Sequence, residues 1–177
     1  MTENKNIWIE KGYKMYSESG FHGLKIEKLA KNVGKSKSSF YHHFADLEYF
    51  EELLFIHHYK QCSILGEKEK NCKIIYPNLI NILLEHKIDL LFNRQLRIER
   101  NNANVGNALV KSNKLLGNYA VMLWAKEINI KLSTKQLERL FEIATDDFYM
   151  RINIDNLNYE FLSSYFQNLS QITKEFT

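Results

Sequence analysis

Apolar residues recur every three or four positions along nearly the whole chain, the period of an α-helix with one buried face. Residues 6–18 predict a first helix with Trp8, Tyr13, Met15 and Tyr16 inward and Gly12 permitting close approach. Ser19-Gly20 ends it, and Phe21 folds back onto the core. Residues 26–44, IEKLAKNVGKSKSSFYHHF, split into two short helical patterns around Val33-Gly34-Lys35. Ile26, Leu29, Ala30 and Val33 form one apolar face, Gly34 supplies the backbone for a sharp turn, and Ser36 is placed to cap the next helix. That next helix has only Phe40 and Phe44 as apolar anchors. Asp46 caps a longer helix to about residue 64, with Leu47, Phe50, Leu54 and Ile56 inward, and Gly66 with residues 67–71 reads as a loop or boundary.

Beyond this point the pattern remains helical. Pro77 suits a first turn, followed by a stripe from Leu79 to Phe92. Asn93 to Arg100 is basic, and Asn101-Asn102-Ala103-Asn104 predicts a turn. One long helix is expected over roughly 105–128, carrying Leu109, Leu115, Leu116, Tyr119, Met122, Leu123 and Trp124. Ser133 or Thr134 caps the next, with Leu137, Leu140, Phe141, Ala144 and Phe148 on one face. Asp155-Asn156 opens the last, where Phe161, Tyr165, Leu169 and Ile172 repeat, and Phe161, Tyr165 and Phe166 suit a four-helix contact between two copies. No internal repeat, low-complexity tract or β-hairpin signal interrupts the series, and the fold class expected is all-α.

Composition changes this picture little, but charge changes it locally. With 45% hydrophobic residues the chain can bury a core, so wholesale disorder is excluded. There is no apolar run long enough for a membrane span, and MTENKNIWIEKG lacks the basic-then-apolar order of a secretory signal, so a cytoplasmic location and no membrane partner are expected. Cys62 and Cys72 read as reduced thiols. The net charge of +3 is small, yet residues 22–44 hold Lys25, Lys28, Lys31, Lys35 and Lys37 against Glu27 alone. A surplus focused on the two short helices is what attraction to nucleic-acid phosphates calls for.

The same stretch carries the candidate chemistry. Two short helices around a tight turn, the second with a thin core stripe, form a helix-turn-helix signature, whose second helix enters a DNA major groove. Lys37, Ser38 and Ser39 offer donors at its start, suited to base edges or phosphate, beside Ser36. Tyr41 is positioned to reach phosphate through its hydroxyl, His42 projects outward, and Lys25 and Lys28 lie on the preceding segment. Competing chemistries are weaker. His58 and Cys62 share a helix face four residues apart, but no second pair completes a tetrahedral metal site. There is no Gly-rich phosphate loop, HExxH helix or nucleophile elbow, so no catalysis, metal or cofactor is expected. Phe92, Tyr119, Met122 and Trp124, with Arg97 as an anion partner, are candidates to line a ligand cavity, although aromatics at helical spacing more often belong to plain core.

Over roughly residues 6–50 the chain resembles the TetR/AcrR family of transcriptional repressors. The resemblance rests on a first helix, Gly20-Phe21, Ile26…Leu29-Ala30…Gly34, and Ser36-Lys37-Ser38-Ser39-Phe40-Tyr41-His42-His43-Phe44. It implies a TetR-like architecture: a helix-turn-helix domain at 1–47, and a helical ligand-binding and dimerisation domain at 48–177. It further implies a homodimer on a roughly palindromic double-stranded operator, released by a small-molecule ligand, with His43 supporting the recognition helix. Two positions depart from the family pattern. Leu24-Lys25 stands where a Ser or Thr usually caps the second helix, and Leu47 where a phosphate-binding Lys usually follows the turn. These departures keep an alternative in view, a TetR-like interaction protein acting through a protein partner.

Overall fold

Ten α-helices and one π-helical turn make up the described residues, 3–129 and 133–175, of the computed structural model. They are α1 (Glu3–Gly23), α2 (Ile26–Val33), α3 (Lys37–His43), α4 (Leu47–Asn71), the π-turn (Ile75–Leu79), α5 (Ile80–Glu85), α6 (Lys87–Ile98), α7 (Ala103–Leu116), α8 (Tyr119–Glu127), α9 (Thr134–Arg151) and α10 (Tyr159–Glu175). No strand occurs among the described residues, as an all-α pattern requires. Nor is any helix among them long and apolar enough to cross a membrane.

The first core forms where the sequence places it. Trp8, Tyr13, Met15 and Tyr16 of α1 are buried with Leu29 and Ala30 of α2, Phe40 and Phe44 around α3, and Phe50 and Leu54 of α4. The backbone leaves helical geometry at Gly20 (φ 63°, ψ −166°), after which Phe21 packs back against this core. The cluster does not stop at the early helices: Phe92 and Leu96 of α6 and Val105, Ala108 and Leu109 of α7 belong to it. A second cluster joins Leu65, Ile75, Leu79 and Leu83 to Trp124, Tyr149, Leu162 and Phe166. Within that cluster Phe166 is buried and half-buried Phe161 and Tyr165 pack beside it, the Tyr165 hydroxyl donating to the Ala144 carbonyl (2.8 Å).

Several elements differ from the sequence expectation. The fourth helix runs on to Asn71, because Gly66 is an interhelical contact and not a breaker: a Cβ there would meet the carbonyl oxygens of Leu115 and Leu116 at 2.7 and 2.8 Å. On this helix Ile56 faces solvent, while Phe55 and His58 turn inward. The stripe from Leu79 to Phe92 is broken at His86 into α5 and α6, and Pro77 sits inside the π-turn. The helix expected over 105–128 is split at Gly117, whose φ of 70° and ψ of −164° suit glycine alone. Ser133 caps α9 in a reciprocal box with Gln136, and Asn158 caps α10 by accepting from the Phe161 N–H (2.9 Å). The Leu137 side chain lies outside the described residues.

Candidate nucleic-acid interface and ligand cavity

The turn between α2 and α3 is closed from within. Gly34 adopts the left-handed conformation (φ 71°, ψ 32°), and the N–H groups of Gly34 and Lys35 donate to the carbonyls of Lys31 and Ala30 (3.2 and 3.0 Å). Ser36 then caps α3, its Oγ accepting from the Ser39 N–H at 3.3 Å. Lys25 occupies the cap position of α2 and provides no side-chain bond, so the usual cap is missing; Leu24 beside it is fully buried in the first core. The seven residues of α3 are held by aromatic edges. Phe40 meets Trp8 and Phe50 with centroids 5.5 and 5.3 Å away, and Phe44 meets Phe50 at 4.7 Å. Because this anchor is all on one side, the opposite side of α3 is fixed toward solvent.

Lys25, Lys28, Ser36, Lys37, Ser38, Tyr41 and His42 are each exposed, and Ser39 is half-buried. Tyr41 stays 57% exposed although its ring lies edge-on to Phe40 (5.5 Å). Its hydroxyl therefore projects from a ring whose base is fixed. His43 is half-buried, packing against His42 and Phe44. Lys37 forms an ion pair across the turn with Glu27 of α2, which holds the Glu27 carboxyl below its ordinary range through the Lys37 hydrogen bond.

The position of Leu47 has a structural explanation and a neighbour that sequence spacing hides. Leu47 packs half-buried against the first core, while Asp46 caps α4 through the Tyr49 N–H (2.7 Å). The Lys5 ammonium, from the first turn of α1, rests 5.4 Å from the Phe44 ring centre and 5.8 Å from that of Tyr49. A cation thus stands beside the start of α4 although Leu47 is not one. Only the tertiary fold brings Lys5 there.

The C-terminal helices enclose a cavity of about 650 Å³. Of the residues read as ligand candidates, Arg97 and Trp124 line it. The other three lie elsewhere. Phe92 is stacked on Tyr13 and Tyr16 (4.4 and 4.5 Å) in the first core, Met122 is 58% exposed, and half-buried Tyr119 covers Gly117. Their helical spacing was shared by core, surface and cavity alike, so the pattern could not sort them.

Arg97 is not a free anion partner. Its Nε donates to Asp146 Oδ1 (3.1 Å), Nη2 donates to Asn113 Oδ1 (3.2 Å), and Nη1 donates to Asn93. The guanidinium also lies 4.0 Å over the Tyr149 ring. Its charge and its hydrogen-bonding capacity are used within the protein. Glu69, which sequence reading assigned to a polar loop, instead lines the cavity from α4 with only 7% of its surface exposed.

Buried polar groups link the two regions. The Tyr13 hydroxyl donates to Asp89 Oδ1 of α6 (2.7 Å), so it must accept from the Nδ1–H of His58 on α4 (2.8 Å). His58 Nε2 is then bare and accepts from the Cys62 thiol (3.3 Å). Complete burial pushes His58 down to about 3, and burial pushes the Cys62 thiol up to about 12, so both are neutral as this chain of bonds requires. His58 and Cys62 are thereby engaged with each other and with α1; among the described residues no group of three or more His, Cys, Asp or Glu could hold a metal ion. Further along α6, Glu99 accepts from the Tyr16 hydroxyl (3.1 Å) and from the Phe21 N–H (3.2 Å), receiving the broken end of α1.

A three-helix unit with a capped, outward-facing third helix and a basic rim defines a helix-turn-helix DNA-binding domain. Residues 9–48 match the model of the bacterial regulatory proteins of the tetR family, so this segment is a tetR-type DNA-binding domain and marks the chain as a DNA-binding transcriptional regulator. The matched segment runs from the first turns of α1 into the start of α4. No curated protein matches the chain.

Proposed function

We propose that this regulator is a homodimeric repressor that leaves its operator when a small molecule occupies the C-terminal cavity. In this reading residues 1–47 read DNA, and residues 48–177 bind ligand and form the dimer. Lys37, Ser38 and Ser39 contact base edges or phosphate at the start of the recognition helix. Ser36 caps that helix, Tyr41 and His42 extend the contact along it, and Lys25 and Lys28 hold the flanking backbone. Lys5 supplies the phosphate contact that Leu47 does not.

The observation that carries ligand release is the position of α6. Arg97 stands on the cavity wall, and Glu99, less than a turn further, receives the Tyr16 hydroxyl and the Phe21 N–H of α1. A ligand that displaced Arg97 from Asp146 would move the residue to which the DNA-binding domain is tied. Release then follows if the ligand favours a conformer whose two recognition helices no longer match half-sites about one DNA turn, ~34 Å, apart. Support for the dimer comes from apolar side chains left exposed at the C-terminal end: Ile143 and Met150, two turns apart on α9, and Ile172 on α10.

The test is selection of genomic fragments at two salt concentrations, together with light scattering of the free protein. The reading expects one enriched palindrome, affinity that falls steeply with salt, and a mass of two chains. Salt-insensitive retention without a common sequence would instead mark a protein-binding role.

A further inference from the structure

Resting on the reading of the cavity as the effector site, we propose that its ligand is a lipophilic organic cation and that Glu69 is the counterion. Glu69 is 7% exposed and forms no ion pair among the described residues; the Ala120 backbone is the one neighbour that favours its ionised form. A carboxylate enclosed this way and lacking a cation is costly to ionise. Burial accordingly pushes it up to about 8. A positively charged guest in the cavity would supply the missing partner.

The rest of the lining favours the same guest. Trp124, Phe141, Phe148 and Tyr149 present aromatic surface, and a cation without strong hydration gains from such faces. Charged side chains on the wall are four carboxylates (Glu69, Glu138, Glu142 and Asp146) against the guanidinium groups of Arg97 and Arg100. Both guanidinium groups are bonded to Asp146, so neither is free to attract an anion. What remains uncompensated is negative. An anionic ligand would meet that surplus and Glu69 together.

The ionisation of Glu69 makes binding depend on pH in a defined direction. The groups near Glu69 that titrate are Cys62 from α4 itself and Tyr149 from α9, with Tyr165 facing the cavity from α10. Burial raises all three, so they stay neutral between pH 6 and 8. The change over this range therefore belongs to Glu69. A permanently charged cation should bind more tightly as pH rises, on the order of fiftyfold between pH 6 and 8, and level off above.

The experiment is calorimetric titration of the full chain with tetraphenylphosphonium, the near-isosteric anion tetraphenylborate, and neutral triphenylphosphine oxide. The expected result is binding of the cation above the other two, tightening with pH as described. Glu69→Gln, with its fold checked by circular dichroism, should weaken the cation by at least about tenfold and flatten the pH profile. Equal binding of cation and anion, preference for the anion, or a flat wild-type profile overturns the cation proposal while leaving the cavity as the effector site. Failure of all three probes to bind overturns the effector reading as well. The wild-type pH profile decides the matter even where Glu69→Gln does not fold.

Discussion

Lys37 enters any DNA complex already engaged, because Glu27 holds it across the turn. Each must be released before Lys37 can meet a phosphate or a base edge. Both side chains are solvent-exposed, so the pair is weak and gives way easily to a polyanion. Glu27→Gln is therefore expected to raise DNA affinity a few-fold at low salt, with the gain fading as salt rises; unchanged binding at low salt would show that the pair does not compete. If the proposed reading holds, Lys37→Ala and Tyr41→Ala cripple operator binding, measured by fluorescence anisotropy, and leave the mass seen by light scattering unchanged from wild type. Lys5→Ala tests a different point. If Lys5 replaces the contact missing at Leu47, its loss weakens binding to all sequences alike and reduces the salt slope by about one. The candidates from Ser36 to His42 were legible in the sequence because capping, turn and outward placement are local properties of residues 33–44. Lys5 was not, since nothing in its neighbourhood indicates that Phe44 and Tyr49 will stand beside it.

At the scale of elements, what sequence periodicity could predict and what it missed divide along one physical line. A stripe of apolar residues reports that a segment is helical, but it continues through any break that keeps the same face inward. The breaks at His86 and Gly117 are of that kind, and the contact at Gly66 is the converse, a glycine that marks closeness where an end was expected. The early caps were readable because Ser36 and Asp46 each bond within three residues. Gly66 and Gly117 also yield separable predictions. Gly66→Ala drives a Cβ into two backbone carbonyls at the end of α7, which no rotamer change relieves. The expected cost is about 1–3 kcal/mol, a fall of several degrees in melting temperature at fixed protein concentration. Gly117→Ala should cost a comparable ~1–3 kcal/mol through its backbone conformation. A Gly66→Ala protein as stable as wild type would mean that α4 and α7 are free to separate there. Gly117 lines the cavity and Gly66 packs on Leu116, which also lines it, so if the cavity is the effector site both substitutions should weaken ligand binding beyond their effect on folding.

Across the whole molecule, the buried titratable groups set opposing trends of stability with pH. His58 is held neutral, at about 3 in the fold against an ordinary 6.5. The unfolded chain takes up that proton first, so stability falls as pH drops from 6.5 towards 3, by up to about 5 kcal/mol. Glu51 and Glu69 act in the other sense. Burial raises them to about 7 and about 8, so the stability they permit is complete below pH 4.5 and is lost as pH rises through those values. Glu51 is half-buried and screened by water, and the larger part of the effect falls to Glu69. Between about pH 4.5 and 6.5 the His58 and Glu69 trends cancel, because each changes the proton balance by one in opposite directions. From 6.5 to 8 only the carboxyl trend remains, and the unliganded protein should lose about 2 kcal/mol over that interval. Glu69→Gln keeps the shape of the side chain and removes its titration. Urea unfolding at pH 5, 6.5 and 8, at constant protein concentration, should show the alkaline decline in wild type and most of it abolished in Glu69→Gln. An equal decline in both proteins would place the proton elsewhere. Saturating wild type with a bound cation at pH 8 should restore the lost stability, since the ligand then occupies the charge that the fold leaves uncompensated.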